Sequence, residues 1–148
     1  PAVLANALLT PSYLSGAWAL GFYGLIPEQV VTYTSVTARG PRRFENQAGL
    51  FEYRHVKPEA FFGYQGWVID GAQVQVATPE KALLDFWHLS TGLWTAERMA
   101  EMRFQNFDGV KPRRLRQSAG RFQSPRLVAA VRAWLELAGA EKEGTVEL

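Results

Sequence analysis

Thr78-Pro79-Glu80 opens a helix, and the segment behind it is apolar on nearly every face. The Thr78 hydroxyl can cap, Pro79 suits the first helical position, and Glu80 sits at the positive end of the dipole. To about Leu89 the segment carries Leu83, Leu84, Phe86, Trp87 and Leu89. A helix without a polar face has no solvent side, so the rest of the chain must cover it.

The upstream sequence supplies a sheet for that purpose. Val30 to Thr37 is dense in β-branched residues and reads as a strand. Residues 38–49 read as a polar loop carrying Arg39, Arg42, Arg43 and Asn46. Leu50 to Val56 alternates, which puts Phe51, Tyr53 and His55 on one face. Gly66 to Ile69 and Gln73 to Ala77 flank Asp70-Gly71, a strong hairpin signal. Ahead of these strands, Ser12 can cap a helix running to Leu25, with Leu14, Ala17, Trp18, Gly21 and Phe22 on its buried stripe. Gly24 and Pro27 end it.

Beyond Gly92 the pattern is helical. Helices are expected over Thr95 to Arg103 and over Pro112 to Ala119, the second ending at Gly120. A last one, capped by Ser124, carries Leu127, Val128, Val131, Trp134, Leu135 and Ala138 and is stopped by Gly139. The expected architecture is a single α+β domain over residues 1–139, with a small, largely antiparallel sheet packed on helices. Residues 1–90 hold the first helix, the sheet and the buried helix; residues 91–139 form a helical region; residues 140–148 form a charged tail.

Five Trp, nine Phe and five Tyr in 148 residues are enough for one packed core and exclude a disordered chain. With no cysteine, disulfides and thiolate metal sites are impossible, and a secreted, bridge-stabilised fold is disfavoured. Residues 1–27 carry no charge, yet their longest apolar stretch, 16–26, is shorter than the ~20 residues a spanning helix needs. No basic segment precedes it. A cytoplasmic protein without a membrane partner is expected.

A search for chemistry yields little. Only His55 and His88 could act as a nucleophile's base, and no serine lies in a Gly-x-Ser-x-Gly elbow. Metal-ligand spacings and Gly-rich phosphate loops are absent as well. The expectation is therefore no catalytic residue, no metal and no cofactor. One carboxylate set merits weighing: Glu52, Asp70 and Glu80 with Lys81, since a metal-dependent nuclease sets carboxylates and an amine beside its ion. Adjacent positions at a helix start diverge, however. Glu80 then serves the dipole, and Lys81 can pair with Asp85 one turn on. A nuclease using Asp70, Glu80 and Lys81 stands as the alternative reading.

Charge is uneven along the chain. Residues 1–80 hold five basic and six acidic side chains, whereas residues 81–148 hold eleven and eight. Lys111, Arg113, Arg114, Arg116, Arg121, Arg126 and Arg132 follow one another without an acid between them. Such a run suits an acidic partner or nucleic acid. Arg113, Arg114 and Arg116 on their short helix, with Arg42, Arg43 and Phe44 in the polar loop, are the candidate contacts. The two helices around Gly120 have a helix-turn-helix outline, but the second is apolar, so base readout is not expected from it. Phe61, Phe62 and Tyr64 read as a cover for the core.

The run LGFYGLIPEQVVTYTSVTARGPRRFENQAGLFEYRHVKPEAFFGY (Leu20–Tyr64), followed by ATPEKALLDFWHL (Ala77–Leu89), resembles the AbiEi family of antitoxins. The resemblance covers Ser12 to Leu89, and beyond Gly92 it is one of helical character. These antitoxins belong to type IV toxin–antitoxin systems of bacterial abortive phage infection and are regarded as transcriptional regulators of a viral defence system. The family joins an N-terminal winged helix, which represses the operon, to a domain that opposes a nucleotidyltransferase-like toxin. Since this chain begins where the second domain begins, the resemblance implies an antitoxin domain that acts by binding. It also implies a toxin partner, met directly or indirectly, and operator DNA held mainly through a winged helix outside this chain. Thr78, Pro79, Glu80 and Trp87 are then its structural signature.

Overall fold

The computed structural model describes the backbone of residues 1–147 and the side chains of residues 1–142. In chain order the elements are α1 (Ala2–Leu8), β1 (Tyr13–Leu14), α2 (Gly16–Phe22), β2 (Tyr33–Thr37), β3 (Arg42–Asn46), β4 (Gly49–His55), β5 (Tyr64–Ile69) and β6 (Ala72–Ala77). Four helices follow: α3 (Pro79–Leu89), α4 (Ala96–Glu101), α5 (Pro112–Gly120) and α6 (Pro125–Glu147).

The fold is α+β, as expected, but its sheet is mixed. The strand order is β3-β4-β2-β1-β6-β5. Three neighbouring pairs are antiparallel: β3 with β4, β2 with β1, and β6 with β5. The pairs β2–β4 and β1–β6 are parallel. Local hairpins are visible in a sequence, whereas a parallel pair joins segments that are distant along the chain.

β1 is the largest departure from expectation. Tyr13 and Leu14 do not lie in a helix capped by Ser12; they bridge the two halves of the sheet, Leu14 standing opposite both Ser35 and Val76. Ser12 Oγ instead donates to the Leu9 carbonyl at 2.7 Å. The helical stripe read over residues 14–25 therefore survives only as α2. Its end is as expected: Gly24 has φ +69, Gly24 N donates to Gly21 O at 3.1 Å, and Leu25 N donates to Leu20 O at 2.8 Å. That is a Schellman closure, which needs a left-handed residue at Gly24.

Three further corrections concern weak local signals. α1, which lacks charge and a side-chain cap, is held by burying Ala2 and Ala5 and by the Tyr53 hydroxyl donating to Ala5 O. β3 occupies part of the segment read as a loop; its residues are exposed except half-buried Phe44, so no apolar alternation marked it. A two-residue turn joins it to β4, with Asn46 Oδ1 accepting from Ala48 N at 2.7 Å. Finally, α6 runs past Gly139 to Glu147, so residues 140–147 are helical rather than a separate tail, and Leu148 lies outside the described residues.

Elsewhere the local chemistry gives the expected elements. Asp70 and Gly71 have φ of 51 and 79, the two left-handed residues of a type I′ turn joining β5 to β6. Thr78 Oγ1 accepts from Lys81 N at 3.2 Å, capping α3. Ala82, Leu83, Leu84 and Trp87 are wholly buried on that helix, and α4, α5 and α6 continue the core with Met99, Leu115, Leu127 and Trp134. The helical region is tied back to the end of α2: Asn106 Nδ2 donates to Gly24 O at 2.6 Å, Gln105 N to Leu25 O at 2.9 Å, and Arg103 pairs with Glu28 at 2.9 Å. Among the described residues, no helix is long and apolar enough to cross a membrane.

Candidate functional site

The charged residues of α3 are as buried as its leucines. Lys81 Nζ lies 2.7 Å from Asp85 Oδ1, 2.7 Å from the Tyr13 hydroxyl and 2.8 Å from the Ala60 carbonyl. Asp85 Oδ2 accepts from Ser15 Oγ at 2.7 Å and from the Tyr13 hydroxyl at 3.0 Å. An ammonium has three N–H donors and here meets three acceptors, so the pattern suits the charged pair. Burial pushes Lys81 below the usual amine range and Asp85 above the usual carboxylate range, while their mutual attraction opposes both shifts.

The β1–α2 junction explains why this cluster forms. Tyr13 and Ser15 flank Leu14 on the inserted strand, and both hydroxyls reach the one carboxylate that α3 turns inward. Aromatic rings close the other side. Lys81 Nζ lies 4.5 Å from the centre of the Phe62 ring, 5.2 Å from Phe122 and 5.3 Å from Tyr13. Phe61 and Tyr64 pack on Tyr13 at 5.1 and 4.8 Å, and Arg121 stands 3.6 Å over Phe62. Gly63 has φ +78, and a Cβ there would come within 2.9 Å of Lys81 Cγ, so this turn over the lysine stem requires glycine.

Burial decides what the cluster can do. Tyr13, Ser15, Lys81 and Asp85 are all between 0 and 1 % exposed. A nucleophile or general base must come within hydrogen-bond reach of substrate. The polar atoms of these groups meet one another and the Ala60 carbonyl, which ties α3 to β1 and to the segment after β4, and Ser15 and Asp85 also line a cavity of about 130 Å³ with Ser35, Glu52 and Arg54.

Glu80 diverges from Lys81, as adjacency predicts. Its Oε2 accepts from Lys111 N at 2.8 Å, and its Oε1 lies 3.7 Å from the Arg114 guanidinium. One buried carboxylate thus serves the positive ends of both α3 and α5. Asp70 sits at the exposed hairpin turn, with β6 between it and α3, about 20 Å of strand at ~3.3 Å per residue. Glu52 lies on β4 opposite Arg43. Asp70, Glu80 and Lys81 are therefore not brought together. Among the described residues, no group of three or more His, Asp or Glu side chains could hold a metal ion.

The five candidate arginines are all exposed, and one of them is tethered. Arg42 and Arg43 are exposed on the edge strand β3, with the Arg42 guanidinium 5.0 Å from the ring of half-buried Phe44. Arg113 and Arg116 are exposed on α5, and among the described residues neither has a hydrogen bond or ion pair from its side chain. Arg114 is exposed too, and of the three α5 arginines it is the one paired, its guanidinium 3.7 Å from Glu80. Arg126 donates to the carbonyls of Ser90 and Gly92 and stitches α6 to the loop after α3. His55 and His88 are both exposed; His55 Nδ1 meets Arg39 O at 2.9 Å, and His88 packs at 5.1 Å from Phe122.

A search for likeness found no match among protein-family models, curated proteins or solved structures. What the geometry defines is an α+β domain whose densest polar cluster is internal and which exposes arginines on β3 and α5.

Proposed function

We propose that this chain is the antitoxin-type regulator domain of an abortive-infection toxin–antitoxin system, acting by binding rather than by catalysis. The observation that carries the reading is the closure of the Lys81–Asp85 cluster. The residues with the most catalytic appearance are enclosed and partnered within the chain, which leaves the surface to do the work. The resemblance supports the antitoxin assignment from the other side. FFGY contributes Phe62 and Gly63, and ATPEKALLD contributes Thr78, Glu80, Lys81 and Asp85, to one interlocked arrangement.

The contact surface in this reading is α5, where Arg113 and Arg116 present unpaired charge. Such charge sets the rate and selectivity of encounter with an acidic partner. The partner is a nucleotidyltransferase-like toxin, opposed directly or indirectly. Operator DNA belongs mainly to the family's winged helix.

Growth rescue of cells expressing such a toxin is the test, run beside incubation of the purified chain with plasmid and magnesium or manganese. Rescue without plasmid cleavage is expected. Cleavage abolished by Asp70→Ala or Glu80→Ala would replace this reading with the nuclease one.

A further inference from the structure

We infer that the cavity between the start of α2, the end of α3 and strands β2 and β4 binds a free α-amino acid with a small side chain, Glu52 taking the ammonium and Arg54 the carboxylate. The register of the sheet builds this arrangement. Parallel pairing sets Thr34 beside Glu52 and Val36 beside Arg54. Residues two apart on a strand share a face, so the four stand together. That face is the one under α3, because Val36 is also opposite Tyr13, whose hydroxyl reaches Asp85. The cavity formed there has a volume of about 130 Å³. No α5 residue lines it, so the inference is independent of the contact surface proposed above.

The charges of the lining select the ligand. Among the described residues the half-buried Glu52 carboxylate has no hydrogen bond or ion pair, not even with Arg43 opposite it on β3. Arg54 is exposed and has no carboxylate partner among them; its Nη2 donates to the Leu89 carbonyl at 3.1 Å, which holds the guanidinium at the end of α3. A guanidinium carries further N–H donors, and these stay open. Opposite charges on one face, neither neutralised by the chain, call for a molecule that carries both signs. Their Cα atoms are about 7 Å apart at ~3.3 Å per residue. That suits the ammonium and carboxylate of one small zwitterion, each about 2.8 Å from its partner.

The inner wall and the volume narrow the class. Ser15 and Asp85 line the cavity, and both are buried. Asp85 accepts from Lys81, Ser15 and Tyr13, which leaves about one of its four acceptor positions, and Ser15 Oγ keeps its lone pairs. Acceptors of this kind favour N–H donors and disfavour a second carboxylate. Ala17, Val36, Phe86 and Leu89 supply the apolar side, against which a small side chain can pack. A protein cavity of roughly 150 Å³ takes up benzene, with about six non-hydrogen atoms. Alanine and serine are of that size, whereas leucine and the aromatic amino acids exceed it.

Titration of the purified chain with L-alanine and L-serine, followed by backbone amide NMR shifts, tests the site. Saturable binding is expected with a dissociation constant between about 10 μM and 1 mM, given so few ligand atoms. The shifts should centre on β2, β4, the start of α2 and the end of α3. Propionate and ethylamine each keep one charge, and they should bind at least about tenfold more weakly than L-alanine, as should the larger L-leucine. Glu52→Gln removes a charge at nearly constant size; it should keep the thermal midpoint and weaken L-alanine binding by about tenfold or more. Arg54→Gln should weaken binding to a similar degree. No saturable shift by about 50 mM of either amino acid would overturn the proposal. So would propionate, ethylamine or L-leucine binding as tightly as L-alanine, shifts centred elsewhere, or unchanged binding by either variant.

Discussion

Lys81 donates to Asp85 at 2.7 Å across one turn of α3, and the two side chains are 1 % and 0 % exposed. An i, i+4 pair on a helix surface contributes about 0.2–0.5 kcal/mol. Inside, the energetics change sign with context: removing one partner of a buried pair costs about 3–5 kcal/mol, whereas replacing both with apolar residues is often neutral. Lys81→Met and Asp85→Leu should each destabilise strongly, and the double variant should lose much less than the sum. Urea unfolding of the four proteins measures this coupling. Additive losses, or singles within about 1 kcal/mol of wild type, would show that the pair does not hold α3 in place.

Glu80 should behave as a structural residue. Glu80→Ala leaves the Lys111 N–H without its acceptor and Arg114 without its counter-charge, at a cost of about 1–3 kcal/mol. Glu80→Gln keeps an acceptor for Lys111 and should recover much of that loss. In the antitoxin reading proposed above, growth rescue should fall only as far as the thermal midpoint falls. A Glu80→Ala protein with normal melting and no rescue would make Glu80 a contact residue.

The arginines of α5 should separate into two kinds. Arg113→Glu with Arg116→Glu alters exposed charge, typically under about 1 kcal/mol each, and should keep the melting temperature while weakening rescue of toxin-expressing cells. Arg114→Glu should lower the melting temperature as well, because it sets a second carboxylate beside buried Glu80. Full rescue by the Arg113/Arg116 variant would reduce this face to solvated surface. Equal melting of the Arg114→Glu protein and the Arg113/Arg116 variant would contradict the Arg114 tether.

Alkaline pH should unfold the protein through its buried phenols. Burial pushes Tyr53 up to about 12 from an ordinary 10.0, and Tyr13 is raised further, by burial and then by the Asp85 charge. A phenol with a raised folded pKa contributes stability that is complete below the unfolded pKa and is lost as pH rises through the folded one. Stability should therefore decline above about pH 10. Tyr53 and Tyr13 should ionise only together with loss of structure. Phenolate absorbance and circular dichroism, followed in one titration, report both events. Early ionisation of these two phenols within an intact fold would contradict their burial, and Tyr53→Phe should flatten the decline.

Elements with strong local chemistry were legible in the sequence. Thr78-Pro79-Glu80 announces the start of α3, Asp70-Gly71 the β5–β6 turn, and Gly24 the close of α2, because capping and left-handed turns depend on a few adjacent residues. The i, i+4 spacing of Lys81 and Asp85 allowed their pairing, and the adjacency of Glu80 and Lys81 their divergence. Tertiary structure decided the remainder. Nothing adjacent to Tyr13 and Leu14 marks a strand; they become one because β2 and β6 leave a slot between them and Asp85 offers an acceptor to Tyr13 and Ser15. β3 lacked a pattern because its apolar support, from Phe51 and Tyr53, comes from the neighbouring strand. Helical spacing allowed the Lys81–Asp85 pair, but only the chains packed around it could remove its water. The closure that turns a surface ion pair into an internal fastening comes from Phe62, Gly63 and Phe122, contributed from either side of α3 along the chain.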